Sequence, residues 1–270
     1  MNLLEKKFSD LKKNHRKALI TFITAGDPTV SHTLDLVGAL VENGADVVEL
    51  GLPFSDPLAD GPTIQKASER SLKRGMNTDI YFRITETLSR KYDVPFVCLT
   101  YYNIILQYGL LRFAESCRKY GVSGVIVPDL PVEEAGELLS ACRKSQVNLI
   151  FLVSETTNDE RLNRILRKAS GFVYAVAMLG TTGARENMSD KTRKLIRRIK
   201  SRTNLPVSVG FGISKPEHVK QVLSYGADAA IVGSAIVRKI EGNVSNKKRM
   251  IAEVKSFVRT LKKASDDFKG

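Results

Sequence analysis

What most constrains the fold of this chain is an alternation that runs its whole length. Short apolar, β-branched segments are separated by stretches whose apolar residues recur every three or four positions, as in Leu110, Phe113, Ala114, Cys117 and in Leu162, Ile165, Leu166, Ala169. Strands buried on both faces read as continuous apolar runs, and amphipathic helices between them are the mark of βα units around a parallel sheet. Eight strand segments can be read, at 18–24, 46–50, 95–100, 124–127, 148–153, 172–177, 206–210 and 229–232. Eight βα units imply a closed (β/α)8 TIM barrel of about 250 residues. The 270 residues fit that barrel with an extra N-terminal helix at 3–13. An open doubly wound sheet would show a glycine fingerprint after its first strand, whereas this strand runs into Thr24-Ala25-Gly26-Asp27-Pro28. No linker or low-complexity block divides the sequence, so one domain is expected over 1–270.

Charge and residue usage exclude several functions. The net charge of +13 asks for an anionic partner, either a polyanion or a phosphorylated small molecule. Nucleic acid is disfavoured by the distribution of that charge. The C-terminal basic residues lie opposite the series Met250, Ile251, Val254, Phe257, Val258, Leu261, which is a solvated helix face, and no aromatic residues interleave with them. No apolar run reaches the roughly 18 residues of a membrane span, and the start lacks a signal-peptide core, so a cytoplasmic protein is expected. Cys98, Cys117 and Cys142 are far apart and read as reduced core thiols. His15, His32 and His218 lie outside every motif and read as surface residues, which leaves no histidine triad and no metal site.

Acid and base chemistry is concentrated between 49 and 65. Glu49 closes an apolar strand at the rim of the core, where an unpaired carboxylate is costly to bury. Pro53, Asp56, Pro57 and Asp60-Gly61-Pro62 then form a loop that brings Asp60 back over the strand end, where the two aspartates either cap and solvate the loop or pair with Glu49. In a barrel of this kind the reactive groups gather at the carboxyl ends of the strands. The sixth, seventh and eighth strands end in glycine turns, Gly180-Thr181-Thr182-Gly183, Gly210-Phe211-Gly212-Ile213-Ser214 and Gly233-Ser234. Glycines there let backbone N–H groups approach a ligand, and a helix starting after Gly233 aims its positive end at it. These turns read as a phosphate site.

With those segments in place, the sequence resembles the α chain of tryptophan synthase over nearly its whole length. TAGDP at 24–28, ELGLPFSDPLADGPTIQ at 49–65, TYYN at 100–103, IVPDLPVEE at 126–134, GFVY at 171–174, VGFGIS at 209–214 and IVGSAIV at 231–237 carry the resemblance. It implies a lyase that splits indole-3-glycerol phosphate into indole and glyceraldehyde 3-phosphate without metal or organic cofactor. By the same resemblance Glu49 is the general acid and then base, Asp60 binds the indole N–H, and Tyr174 lies against the substrate near Glu49. Thr182 and Gly183 match a loop that closes over the substrate. Phe211, Gly212, Gly233 and Ser234 match the phosphate turns, and Leu99, Tyr101 and Ile64 match the lining of the indole pocket. The family works as an α2β2 complex in which a pyridoxal-phosphate β chain receives the indole, and 53–60 and 103–109 match the docking surfaces.

The sequence departs from the family pattern at Ile104 and Glu155, where prolines are customary, at Ser123 before the fourth strand, at Met178, and in a loop reading GTTG. Without its proline the 103–109 segment is expected to be less ordered. A stand-alone indole-releasing lyase would share every catalytic residue, and a non-catalytic barrel that only tunes a partner would need neither carboxylate.

Overall fold

A computed structural model of the chain describes residues 1–177 and 189–268. The strands are β1 (Ala18–Thr24), β2 (Val47–Gly51), β3 (Phe96–Leu99), β4 (Val122–Ile126), β5 (Asn148–Ile150), β6 (Leu152–Val153), β7 (Val173–Val176), β8 (Val207–Gly210) and β9 (Ala229–Val232). They form one parallel sheet in the order β5-β4-β3-β2-β1-β9-β8-β7-β6. Its two ends, β5 and β6, are halves of the single stave expected at 148–153, interrupted at Phe151. The Phe151 carbonyl still accepts the Tyr174 N–H of β7 at 3.0 Å, and Ser170 N–H reaches Leu149 at 3.2 Å. The sheet therefore returns to its start as a barrel of eight staves.

The helices among the described residues are α1 (Leu3–Lys13), α2 (Val30–Glu42), α3 (Pro62–Lys73), α4 (Thr78–Lys91), α5 (Tyr102–Tyr108), α6 (Leu110–Lys119), α7 (Gly136–Lys144), α8 (Asp159–Lys168), α9 (Asp190–Lys200), α10 (Pro216–Ser224), α11 (Ser234–Glu241) and α12 (Lys247–Asp266). The extra N-terminal helix occupies the expected residues. Asn2 caps α1 by accepting from Leu4 and Glu5 N–H while Glu5 reaches back to the Asn2 N–H, a reciprocal cap that fixes where the helix starts. None of these helices is long and apolar enough to cross a membrane.

Period-two alternation sorts each strand into two cores. Leu19, Val48, Leu50, Phe96, Cys98, Val125 and Val209 face outward into the layer under the helices. Ala18, Ile20, Val47, Val97, Ile126, Ile150, Tyr174 and Ile231 face inward, and α1 plugs the floor of that interior with Leu4, Phe8 and Leu11. Phe8 meets Phe172 with ring centroids 5.7 Å apart. Being two residues beyond Val47, Glu49 is forced to the inside.

Several expectations are corrected here. The fourth strand begins at Val122, so Ser123 lies within it, and its carbonyl accepts the Asn2 side-chain amide at 2.8 Å. The 103–109 segment, expected as a loop, is for the most part helix α5, whose first N–H, that of Tyr102, is taken by both Asp129 carboxylate oxygens at 3.0 and 3.2 Å. Partly buried Ile104 packs against the core there.

Asp46, at the start of the second apolar run, ties the floor of the barrel to the last helix. Its Oδ2 accepts from Leu19 N–H at 2.9 Å and from the Lys262 ammonium of α12 at 2.8 Å, and both side chains are largely buried. Removing one partner of such a pair leaves a desolvated donor unmet. Asp46→Ala is expected to lower unfolding stability by about 2 to 4 kcal/mol in urea titration. A loss below about 0.5 kcal/mol, the scale of an ordinary surface change, would show that the contact carries no weight.

Candidate active site

The inward side chains leave a cavity of about 300 Å³ at the carboxyl ends of the strands. Glu49, Asp60, Ile64, Leu99, Tyr174, Phe211, Gly212, Gly233 and Ser234 all line it, as the sequence leads one to expect. Glu49 lies deeper than the rim position expected for it. It is 1% exposed, Leu50 and Gly51 of β2 continue beyond it, and its Oε2 has no hydrogen-bond partner among the described residues. Burial without compensation penalises the charged form, and the nearby negative charge of Asp60 adds to the penalty, so the carboxyl is pushed up to about 8.

Asp60 reaches the same cavity from the loop after β2. The Leu52 N–H donates to the Leu99 carbonyl at 2.9 Å and Asp60 N–H closes a turn on Pro57 at 3.0 Å. Gly61 and Pro62 then start α3, the proline at a position where the helix has no use for its N–H. Tyr101 holds this loop from behind. Its ring stacks on Phe54 at 5.3 Å, and its hydroxyl accepts from Ala59 N–H at 3.0 Å and hydrogen-bonds Asp60. Tyr101 is thus a positioning residue for the second carboxyl and not part of the cavity wall, which corrects its expected place in the pocket lining. Burial raises Asp60 to about 6, with the Tyr101 hydroxyl opposing the rise. Near neutral pH the two carboxyls therefore differ in charge, Glu49 holding a proton and Asp60 ionised, a division of labour set by environment alone.

Tyr174 stands beside them on β7, nearly buried, with its ring edge toward Phe211 at 6.2 Å. Burial, then the charges of Glu49 and Asp60, hold its hydroxyl well above the ordinary phenol range, so it stays neutral. Gly210 makes this possible, since a Cβ there would stand 2.1 Å from the Tyr174 hydroxyl oxygen.

The opposite end of the cavity is backbone. Phe211 and Gly212 take successive left-handed conformations, φ +67° and +73°, at the end of β8. Gly233 then opens α11 without any side-chain cap, which leaves the first N–H groups of that helix to a ligand. His218 of α10 is buried here, against the expectation that it is a surface residue. Its Nδ1 lies 3.3 Å from Ser214 N and 3.2 Å from the Gly212 carbonyl, bracing the turn from below. Thr182 and Gly183, and the rest of the Gly180–Gly183 turn, lie outside the described residues.

Sequence reasoning passed over Phe22, Gly61, Pro62, Thr63, Ile213, Ile231 and Arg238, which also line the cavity. Phe22 and Ile231 follow from the alternation that places Ile20 and Ala229 inside. Arg238 lies four residues after Ser234 on one helix face. A further link joins the two ends of the site: Arg70 of α3 grips both oxygens of buried Asp27 at 2.8 and 2.9 Å and reaches Glu241, at the end of α11, at 3.2 Å. No group of three His, Cys, Asp or Glu side chains that could hold a metal occurs among the described residues. Cys98 and Cys142 are pushed up to about 12 by burial and are thiols, not ligands.

A parallel barrel with two carboxyls of different acidity and uncapped helix N–H groups at its strand ends has the make-up of a (β/α)8 enzyme built for acid–base chemistry. The chain matches the model of the tryptophan synthase alpha chain family over residues 8–266 and belongs to that family. It is 47% identical over 262 residues to the tryptophan synthase alpha chain of Methanosarcina barkeri, covering 97% of this chain and 98% of that one. A crystal structure of the alpha chain from Legionella pneumophila superposes with a TM-score of 0.91 at 35% identity, covering 99% and 98% of the two chains. A chain from the tryptophan synthase α2β2 complex of Pyrococcus furiosus, described for its mutual activation, gives 0.85 at 40% identity over 91% and 98%.

The raised Glu49 carboxyl has a cost that can be measured. The folded group keeps its proton to about 8, whereas an unfolded glutamate releases it near its ordinary value of 4.5. Between those values the native state binds the extra proton, so this contribution to stability is intact below the lower value and is lost as pH rises through the window. Glu49→Gln, neutral and of the same shape, should therefore stabilise the fold by about 4 kcal/mol near pH 8 and by almost nothing near pH 4. Equal gains in urea unfolding at the two pH values would contradict the raised carboxyl.

Proposed function

We propose that this chain cleaves indole-3-glycerol phosphate to indole and glyceraldehyde 3-phosphate as the α subunit of tryptophan synthase, acting in the cytoplasm on the path to tryptophan. The observation that carries the reading is the contrast between the two carboxyls in one cavity. Breaking the bond between indole C3 and the glycerol carbon directly would expel a poor carbanion. A protonated Glu49 avoids this by donating to C3, which turns the ring into an iminium-like electron sink. Asp60, ionised, accepts the indole N–H and balances the positive charge that grows on the ring. Glu49, now a carboxylate with the basicity of a group near 8, takes the proton of the glycerol hydroxyl. The carbonyl of the aldehyde forms, the carbon–carbon bond breaks, and its electrons restore the indole. Glu49 ends the cycle protonated again, by the proton of the glycerol hydroxyl, while its first proton leaves on C3 of the indole. The ring serves as the electron sink, so the reaction as proposed uses no metal and no organic cofactor of this chain, and pyridoxal phosphate is assigned to the partner β chain.

Leu99 and Ile64 give the indole an apolar bed, and the Gly212 and Gly233-Ser234 backbone receives the phosphate. The partner reading rests on the surface beside Asp60. Leu58, in the loop that carries Asp60, is 93% exposed, and Leu106 of α5 is 54% exposed. These apolar side chains suit a covered interface, and by resemblance they fall in the β-chain docking segments.

Glu49→Gln should lower indole release by ~10² to 10⁴, the range of general acid–base catalysis, while glycerol phosphate binding and the circular dichroism spectrum stay as in the wild type. Near-normal turnover would remove Glu49 from the proton transfers. A β chain that orders the Leu58 loop presets Asp60, so saturating β chain should raise the cleavage rate by roughly 5 to 150-fold, the usual scale of allosteric coupling. An unchanged rate, with the complex verified by sedimentation, would favour a stand-alone lyase.

A further inference from the structure

We propose that Arg238 supplies the charge for phosphate recognition, reading the anion with its side chain where the glycine turns offer only backbone. This inference rests on the substrate reading given above. Of the described residues that line the cavity, Arg238 alone is cationic, against the two carboxyls Glu49 and Asp60. It stands on α11 four residues after Ser234, hence on the same face one turn further on, and side chains on a helix lean back toward its N-terminus. Arg238 and the Gly233-Ser234 turn that opens the helix thus share one wall of the cavity. Arg238 also borders the groove just outside the cavity, together with Ser214, Lys239 and Arg249, so it marks the boundary between the site and solvent.

Its neighbours are occupied and it is not. Lys239 lies over the Phe257 ring at 5.0 Å, Arg249 pairs with Glu253 at 3.0 Å, and Arg70 is held by Asp27 and Glu241. Arg238 has no ion pair with any described residue. A phosphate monoester carries close to two negative charges at neutral pH, and backbone N–H groups and a helix end offset only about half of one. An arginine fork is the group whose geometry suits phosphate oxygens, and the charge felt by Glu49 is that of Asp60, so Arg238 can attract an anion without drawing the proton off the acid. The bland alternative is a cation that serves the C-terminal turn of α11, where Arg238 and Lys239 both fall.

The two roles separate by experiment on the full chain. Glycerol phosphate is titrated calorimetrically into wild type, Arg238→Gln and Arg238→Lys, and indole-3-glycerol phosphate cleavage is followed for each. Because the side chain is exposed, screening limits the effect. Arg238→Gln should weaken glycerol phosphate binding and raise KM by about tenfold, with kcat changed less than threefold and indole affinity unchanged. Arg238→Lys should recover part of the loss, and the fall of affinity with added salt should be shallower in Arg238→Gln than in wild type. If Arg238→Gln binds glycerol phosphate as wild type does, with the same salt dependence, the residue only serves its helix and the inference falls while the lyase reading stands. If wild type itself neither binds glycerol phosphate nor releases indole, both fall together.

Discussion

One carboxyl without a partner sets the terms for the rest of the molecule. Glu49 lies inside the barrel where neither solvent nor any cation among the described residues relieves its charge, and it keeps its proton to about 8 for that reason. Every nearby device respects that condition. Tyr174 remains a neutral phenol, Asp60 is a second carboxyl that raises Glu49 further, and among the described residues of the cavity wall the one cation, Arg238, stands on the helix opened by Gly233. A lysine or arginine beside Glu49 would have lowered its pKa by one to three and discharged the acid before any substrate arrived.

A site with that internal cost requires a scaffold with stability to spare. The barrel provides it by burying both faces of its staves, the inner one over the α1 plug and the outer one under the helices. The contrast between carboxyls then depends on a few contacts outside the chemistry. Gly210 leaves space for the Tyr174 hydroxyl, and Tyr101 both anchors the loop and moderates the rise of Asp60. Such second-rank contacts convert a general barrel into a site with two distinct acids.

The staves were legible because a strand buried on both faces leaves a continuous apolar run. Their ends were less so, since pairing with neighbours, not composition, decides where a stave stops: Val122 and Ser123 join β4, and the interruption at Phe151 has no compositional trace. Glu49 and Asp60 stood out because a carboxylate closing an apolar run and an Asp-Gly-Pro turn are both locally anomalous. Tyr101 was visible as a residue but not in its role, which exists only once a loop distant in sequence folds over it. His218 was misplaced although a signal existed. It lies four residues before Val222 on α10, and both belong to the buried face of that helix. Arg238 was likewise hidden in a basic stretch that reads as ordinary solvated surface until the helix is wound.

The ion cluster of Asp27, Arg70 and Glu241 has a consequence for what the cavity will accept. α3 begins two residues after Asp60, α11 begins directly after Gly233, and one arginine bolts the tails of the two helices together. The jaws of the site are therefore a gauge of fixed opening. Choice among phosphate esters becomes a matter of length as well as chemistry: a chain one carbon short would leave its ring or its anion unmet. For a descendant of this barrel to take a longer ester, both helices and their shared arginine would have to shift in concert, which makes the span of the substrate harder to change than the identity of the ring.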